Sequence, residues 1–226
     1  MTSVCAWLGG GIALPLMLVG LPIFGGLIIW LFKKYYAAQV AAVVVFGLSN
    51  VFLCLALYLG GGVSVDLPFA GYGFEAKFVS ARLSAVLPLF ASVAAFLLAR
   101  YSVTYYRGRR EGGLFLLFFF VSVGFVNGAL LSDNLPVMLV FWEGLLLSMS
   151  VLLLIGNLQK PRAAIKLLWL SGIADLLLML GVIITIRVAG QSNLSAISRL
   201  PVSGLGAAGC VLMLLGALGK AGAVPF

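Results

Sequence analysis

Histidine is absent from the 226-residue sequence, and acidic residues number only 6. Without an imidazole, His-ligated haem, HExxH metal sites and Ser-His-Asp catalysis are excluded within these residues. The 3 cysteines, Cys5, Cys54 and Cys210, lie far apart in or near apolar runs and form no CxxC pair. They read as small buried hydrophobes rather than zinc or iron–sulfur ligands. Charge is scarce altogether, at 9% of residues against about 25% in a typical soluble domain. No stretch has the polar composition of a linker or disordered tail, no short-period repeat is visible, and no soluble domain is expected.

What the chain has is apolar length, with 63% of its residues hydrophobic. Apolar runs bounded by charges or turn residues fall at roughly 12–32, 38–60, 83–103, 113–132, 134–157, 164–188 and 204–226, each close to the ~20 residues that cross a hydrocarbon core. The expected fold class is all-α integral membrane, with about seven transmembrane helices in a single domain over 1–226. Helices 1–3 and the 61–82 loop occupy 1–112, and helices 4–7 occupy 113–226. The first run is too long for a signal-peptide core and its charges follow it, so it reads as a retained helix bent at Pro15 or Pro22. The 61–82 loop reads either as a small hairpin or as an irregular cap over helix ends. Residues 132–134, Ser-Asp-Asn, turn the chain into the fifth span, with Ser132 or Asp133 as its expected cap.

The net charge of +8 has a membrane explanation. Basic residues gather in alternate loops: Lys33 and Lys34, then Arg100, Arg107, Arg109 and Arg110, then Lys160, Arg162 and Lys166. The positive-inside rule places those loops in the cytoplasm and the N-terminus outside, as in a multi-pass protein of the cell (inner) membrane. Lipid is the expected partner, and nucleic acid is not. Gly204-Leu-Gly206-Ala-Ala-Gly209 matches GxGxxG, but it opens an apolar helix with no βαβ context and no acid about twenty residues on, so nucleotide binding is not inferred.

Against this apolar background three ionisable residues stand out. Glu143 lies near the centre of the 134–157 run, and Asp175 lies about 18 Å into the next span if that helix is regular. Ser171, Gly172 and Asp175 share one small, polar face. Lys220 is surrounded by Gly216, Gly219 and Gly222 and followed by Pro225, which predicts close helix contact and a discontinuous seventh helix. A charge at the bilayer centre costs on the order of 2.5–3.5 kcal/mol on insertion scales, so each should face the protein interior and have a partner. Lys220 is the expected proton-carrying site, Glu143 its modulating partner, and Asp175 a second acid that biases the pair. Lys166, nine residues before Asp175, is a possible accessory group, although snorkelling to the interface accounts for it as well. No catalytic set or metal-ligand spacing appears, and no cofactor is expected in this chain.

These residues resemble a family. Ser-Asp-Asn at 132–134, Trp142-Glu143, Asp175 and the run GALGKAGAVPF at 216–226 are similar to the antiporter-like subunits of respiratory complex I, Mrp-type Na+/H+ antiporters and membrane-bound, energy-converting hydrogenases. Arg82-Leu-Ser84 and Tyr101-Ser102 with Tyr105-Tyr106 resemble the family's third-span pattern, and the likeness runs from about residue 75 onward. It implies proton translocation at Glu143 and Lys220, possible sodium transport, and partnership with other membrane subunits of a redox complex. The chain itself would be a non-catalytic subunit of an NADH:quinone oxidoreductase or hydrogenase type of assembly. The same likeness is compatible with a non-conducting structural or assembly subunit whose charges only fix helix register. Two positions depart from the pattern: Arg82 or Ala81 stands where the family has an acid, and Ala-Gly-Ala follows Lys220 where complex I commonly has Ser-Ala-Gln, which is closer to the hydrogenase branch. The resemblance also implies that these residues are the first part of an inverted-repeat fold, whose second repeat carries its own lysine.

Overall fold

The computed structural model describes residues 13–60, 62–68, 75–81, 84–156, 162–198 and 204–220. Helices α1 (Ala13–Leu31) and α2 (Tyr36–Leu59) are followed by strands β1 (Gly62–Pro68) and β2 (Glu75–Ala81). Next come α3 (Val86–Tyr105), α4 (Gly112–Leu131), α5 (Leu135–Gly156), α6 (Arg162–Ala189), the short α7 (Leu194–Ile197) and α8 (Gly204–Lys220). Six of these helices are long and apolar enough to cross a membrane, and α8 is a shorter apolar helix of 17 residues. The chain is a helical multi-pass membrane protein, as its apolar runs imply.

α4 is the centre of the first bundle, packing on α1, α3 and α5, while α2 packs on α1 and α3. Small residues make the close approaches. A Cβ on Gly124 would come within 2.7 Å of the Val19 carbonyl, and α4 and α5 exchange rings: Phe141 covers Gly128 and Phe125 covers Gly144. α1 runs unbroken through Pro22. Proline has no N–H, so the Leu18 carbonyl one turn earlier lacks its helical donor, and lipid offers none. The Asn127 amide supplies it, with Nδ2 donating to Leu18 O at 2.8 Å and to Asn50 Oδ1 at 3.0 Å.

The 61–82 segment contains a hairpin: β1 and β2 pair antiparallel, with Val65 opposite Phe78 and Asp66 opposite Lys77. Alternation sends Val65 and Phe78 inward, where Phe78 joins Leu14, Leu18, Cys54, Leu57 and Leu131 in one apolar cluster. The 132–134 turn is fastened on both sides. Asp133 N donates to Lys77 O of β2, and the backbone of Leu194 donates to Asp133 O. The buried Asp133 carboxylate accepts from Ser195 N at 2.8 Å and Ser195 Oγ at 2.6 Å. The cap of α5 is therefore neither Ser132 nor Asp133. Asn134 holds that place, its Oδ1 accepting from Val137 N at 3.3 Å, because Ser132 turns back to Gly128 O and Asp133 is committed to α7.

Candidate functional site

The closest helix pair in the second half is α6 with α8, and its closeness follows from glycine. A Cβ on Gly216 would lie 2.7 Å from Ala174 O, one on Gly181 2.7 Å from Gly209 O, and one on Gly209 2.6 Å from Thr185 Oγ1. With backbones this near, the residue one turn past Gly216 lands beside the residue after Ala174. Those residues are Lys220 and Asp175, and Lys220 Nζ donates to Asp175 Oδ1 at 2.6 Å. Their side chains are only 16% and 6% exposed, so this is an ion pair held largely out of solvent.

The third wall comes from α5. Leu135, Leu139 and the half-buried Met138 and Trp142 pack with Leu178 and Val182 of α6 and with Met213 and Ala217 of α8. Lys220 Nζ lies 4.8 Å from the centre of the Trp142 ring, a cation–π contact. Glu143, the next residue, is close enough to feel the charges of both Asp175 and Lys220. Three buried polar atoms have no hydrogen-bond partner among the described residues: Trp142 Nε1, Glu143 Oε1 and Asp175 Oδ2. Groups of this kind are costly to leave unpartnered at membrane depth.

Sequence reasoning named Lys220, Glu143 and Asp175, and the structure brings all three together on α8, α5 and α6. The direct partner of Lys220 is Asp175, with Glu143 beside the pair. Lys166 stays apart: it is exposed, two residues before the apolar span of α6 begins at Leu168. Gly219 lies within α8, its notional Cβ 3.1 Å from that of Ala174, so at this position glycine serves contact within a regular helix. Gly222 and Pro225, the other predicted break residues, lie outside the described residues. Gly172, expected on the polar face, meets nothing within 4 Å, whereas Ser171 and Asp175 are buried. Trp142 was noticed only as part of a motif, and its contact with the ammonium had no signal of its own in the sequence. Among the described residues no group of three or more Cys, Asp or Glu side chains is placed to hold a metal ion.

Residues 132–226, which contain all three ionisable groups, match the family model described as NADH:quinone oxidoreductase/Mrp antiporter, transmembrane. Among curated proteins, a Na+/H+ antiporter subunit of Alkalihalophilus pseudofirmus is 24% identical over 189 residues, covering 81% of this chain and 38% of that protein. A Na+/H+ antiporter subunit of Staphylococcus haemolyticus is 32% identical over 172 residues, covering 71% of this chain and 20% of that protein. The chain thus spans well under half the length of these relatives. Among solved structures, a chain of respiratory complex I from Thermus thermophilus shares the fold with a TM-score of 0.71 at 22% identity, over 91% of this chain and 43% of that one. A chain of an archaeal membrane-bound sulfane sulfur reductase does so with a TM-score of 0.73 at 16% identity, over 90% and 44%. The chain is accordingly homologous to Na+/H+ antiporter subunits, its residues 132–226 match the NADH:quinone oxidoreductase/Mrp antiporter family model, and it shares its fold with chains of complex I-like respiratory complexes.

Proposed function

We propose that the chain is an ion-translocating, antiporter-like subunit of a larger membrane assembly of the complex I, membrane-bound hydrogenase or Mrp type, and that the ion moves through Lys220, Asp175 and Glu143. The observation that carries this reading is the Lys220–Asp175 pair with a second carboxylate beside it. Two acids share one ammonium, so with all three groups charged one negative charge is unbalanced. A proton, or a sodium ion, balances it. In low dielectric an isolated ammonium or carboxylate favours its neutral form, and a close opposite charge restores the charged form. Drawing Lys220 away from Asp175 therefore promotes proton release from the lysine and proton uptake by the acid, and closing the pair reverses both. In an assembly of the complex I or hydrogenase type, the redox chemistry that drives such a movement belongs to other subunits.

The test is transport by the reconstituted full assembly in vesicles. Lys220→Ala and Glu143→Gln should each lower proton or sodium movement on the order of tenfold or more. Asp175→Asn should lower it too. A second reading, a non-conducting subunit in which the pair fixes helix register, is favoured by the short, well-shielded contact itself. Unchanged transport in Lys220→Ala, with reduced thermal stability of the assembly, would establish that reading instead.

A further inference from the structure

At the end of the bundle opposite the hairpin, where α1, α2, α3 and α4 meet their connecting turns, a cavity of about 580 Å³ is rimmed by Lys33, Lys34, Arg107, Arg109 and Arg110. None of these five cations is in an ion pair among the described residues. Three are positioned by aromatic rings: Lys33 lies 4.7 Å from the Trp30 ring centre, Arg107 4.4 Å from Tyr36 and Arg109 4.7 Å from Tyr105. The first turn of α4 also lines the cavity, through Gly112 and Gly113. Glu111 holds the N-cap position of α4 without a side-chain capping bond, which leaves the amide end of the helix, its positive pole, unsatisfied by side chains. Both glycines are needed there: a Cβ on Gly113 would lie 2.7 Å from Lys33 Cβ, and one on Gly112 2.8 Å from Tyr106 Cβ. The sequence thus brings a helix N-terminus without a side-chain cap, its Gly112 N–H donating to Arg109 O at 3.3 Å, in among five cations that form no ion pair with a described residue.

We propose that this cavity binds the phosphate headgroup of an anionic phospholipid. Cations and helix amides together specify a phosphate. The surroundings specify a lipid, because Leu31, Phe32, Tyr35, Tyr101 and Tyr105 at the same helix ends expose between 43% and 69% of their surface. Apolar and aromatic surface at that level is what acyl chains and the headgroup region cover.

The experiment is native mass spectrometry of the full chain, purified in neutral detergent and supplied with equimolar phosphatidylglycerol and phosphatidylcholine. The unsubstituted chain should retain phosphatidylglycerol with a preference of roughly fivefold or more. Lys34→Gln with Arg110→Gln, and separately Arg107→Gln with Arg109→Gln, should each remove most of that preference, since one cation near the surface is worth about fivefold. Arg187→Gln, at the far end of α6, should leave it unchanged. Equal retention of the two lipids, or full preference in both double variants, overturns the proposal. Displacement of phosphatidylglycerol by an equal concentration of inorganic phosphate assigns the site to free phosphate and overturns the lipid. If the chain purified within its assembly carries no lipid there, the cavity is a protein contact, which overturns the proposal as well.

Discussion

Pro22 withholds one backbone donor in the middle of a span, and Asn127, far along the chain, supplies it to Leu18 O. Asn127→Leu leaves that carbonyl and Asn50 Oδ1 without this donor, and should destabilise the protein by about 1–3 kcal/mol, read as an earlier unfolding transition in detergent. Adding Pro22→Ala restores the helix's own N–H and should recover part of the loss. Lys220 follows the same logic with charge. Asp175→Leu leaves a shielded ammonium without its partner and should cost about 3–5 kcal/mol, whereas adding Lys220→Met should recover most of it. The three ionisable residues were legible because a charge within an apolar run is conspicuous. Which acid takes the lysine was not, since it depends on how closely two helices approach, and no spacing within one helix encodes that.

Helix ends and helix contacts set the next scale. Gly209 and Gly216, seven residues apart, form one face of α8 against α6. Gly216→Val places a branched side chain where Ala174 O and Leu178 already lie, so the helices must part and the Lys220–Asp175 contact must lengthen. Cysteines at positions 188 and 206, whose side-chain carbons come within 3.5 Å by notional Cβ, should cross-link in a background free of Cys5, Cys54 and Cys210. The yield should fall once Gly216→Val is added. At the end of these helices that holds positions 188 and 206, Asp133 binds the first turn of α7. Asp133→Ala removes two hydrogen bonds from a buried carboxylate and should cost about 1.5–3 kcal/mol, with faster amide exchange over residues 192–198 as the direct readout. The cap of α5 was misplaced by one residue from sequence, because Ser, Asp and Asn are all good capping residues and only tertiary partners decide among them.

For the whole molecule, the apolar runs were legible because lipid tolerates only segments that satisfy their own backbone, which ties hydropathy closely to helix position. Hairpin register and the meeting of three distant loops were not, as both arise from pairing across long sequence separations. The clustering of Lys33, Lys34, Arg107, Arg109 and Arg110 at one end, with the hairpin at the other, predicts a labelling pattern. In the same cysteine-free background, Gly108→Cys and Ser64→Cys should react with an impermeant thiol reagent from opposite sides of sealed vesicles, position 108 from the cytoplasmic side. The two ends also differ in how they are held. The hairpin, the 132–134 turn and residues 192–195 are joined by main-chain and side-chain hydrogen bonds, whereas the basic end rests on turns and aromatic stacking. A sheaf knotted at one end and only packed at the other should splay at the packed one, which predicts faster amide exchange at the cationic rim over residues 106–112 than beneath the knot over 132–135.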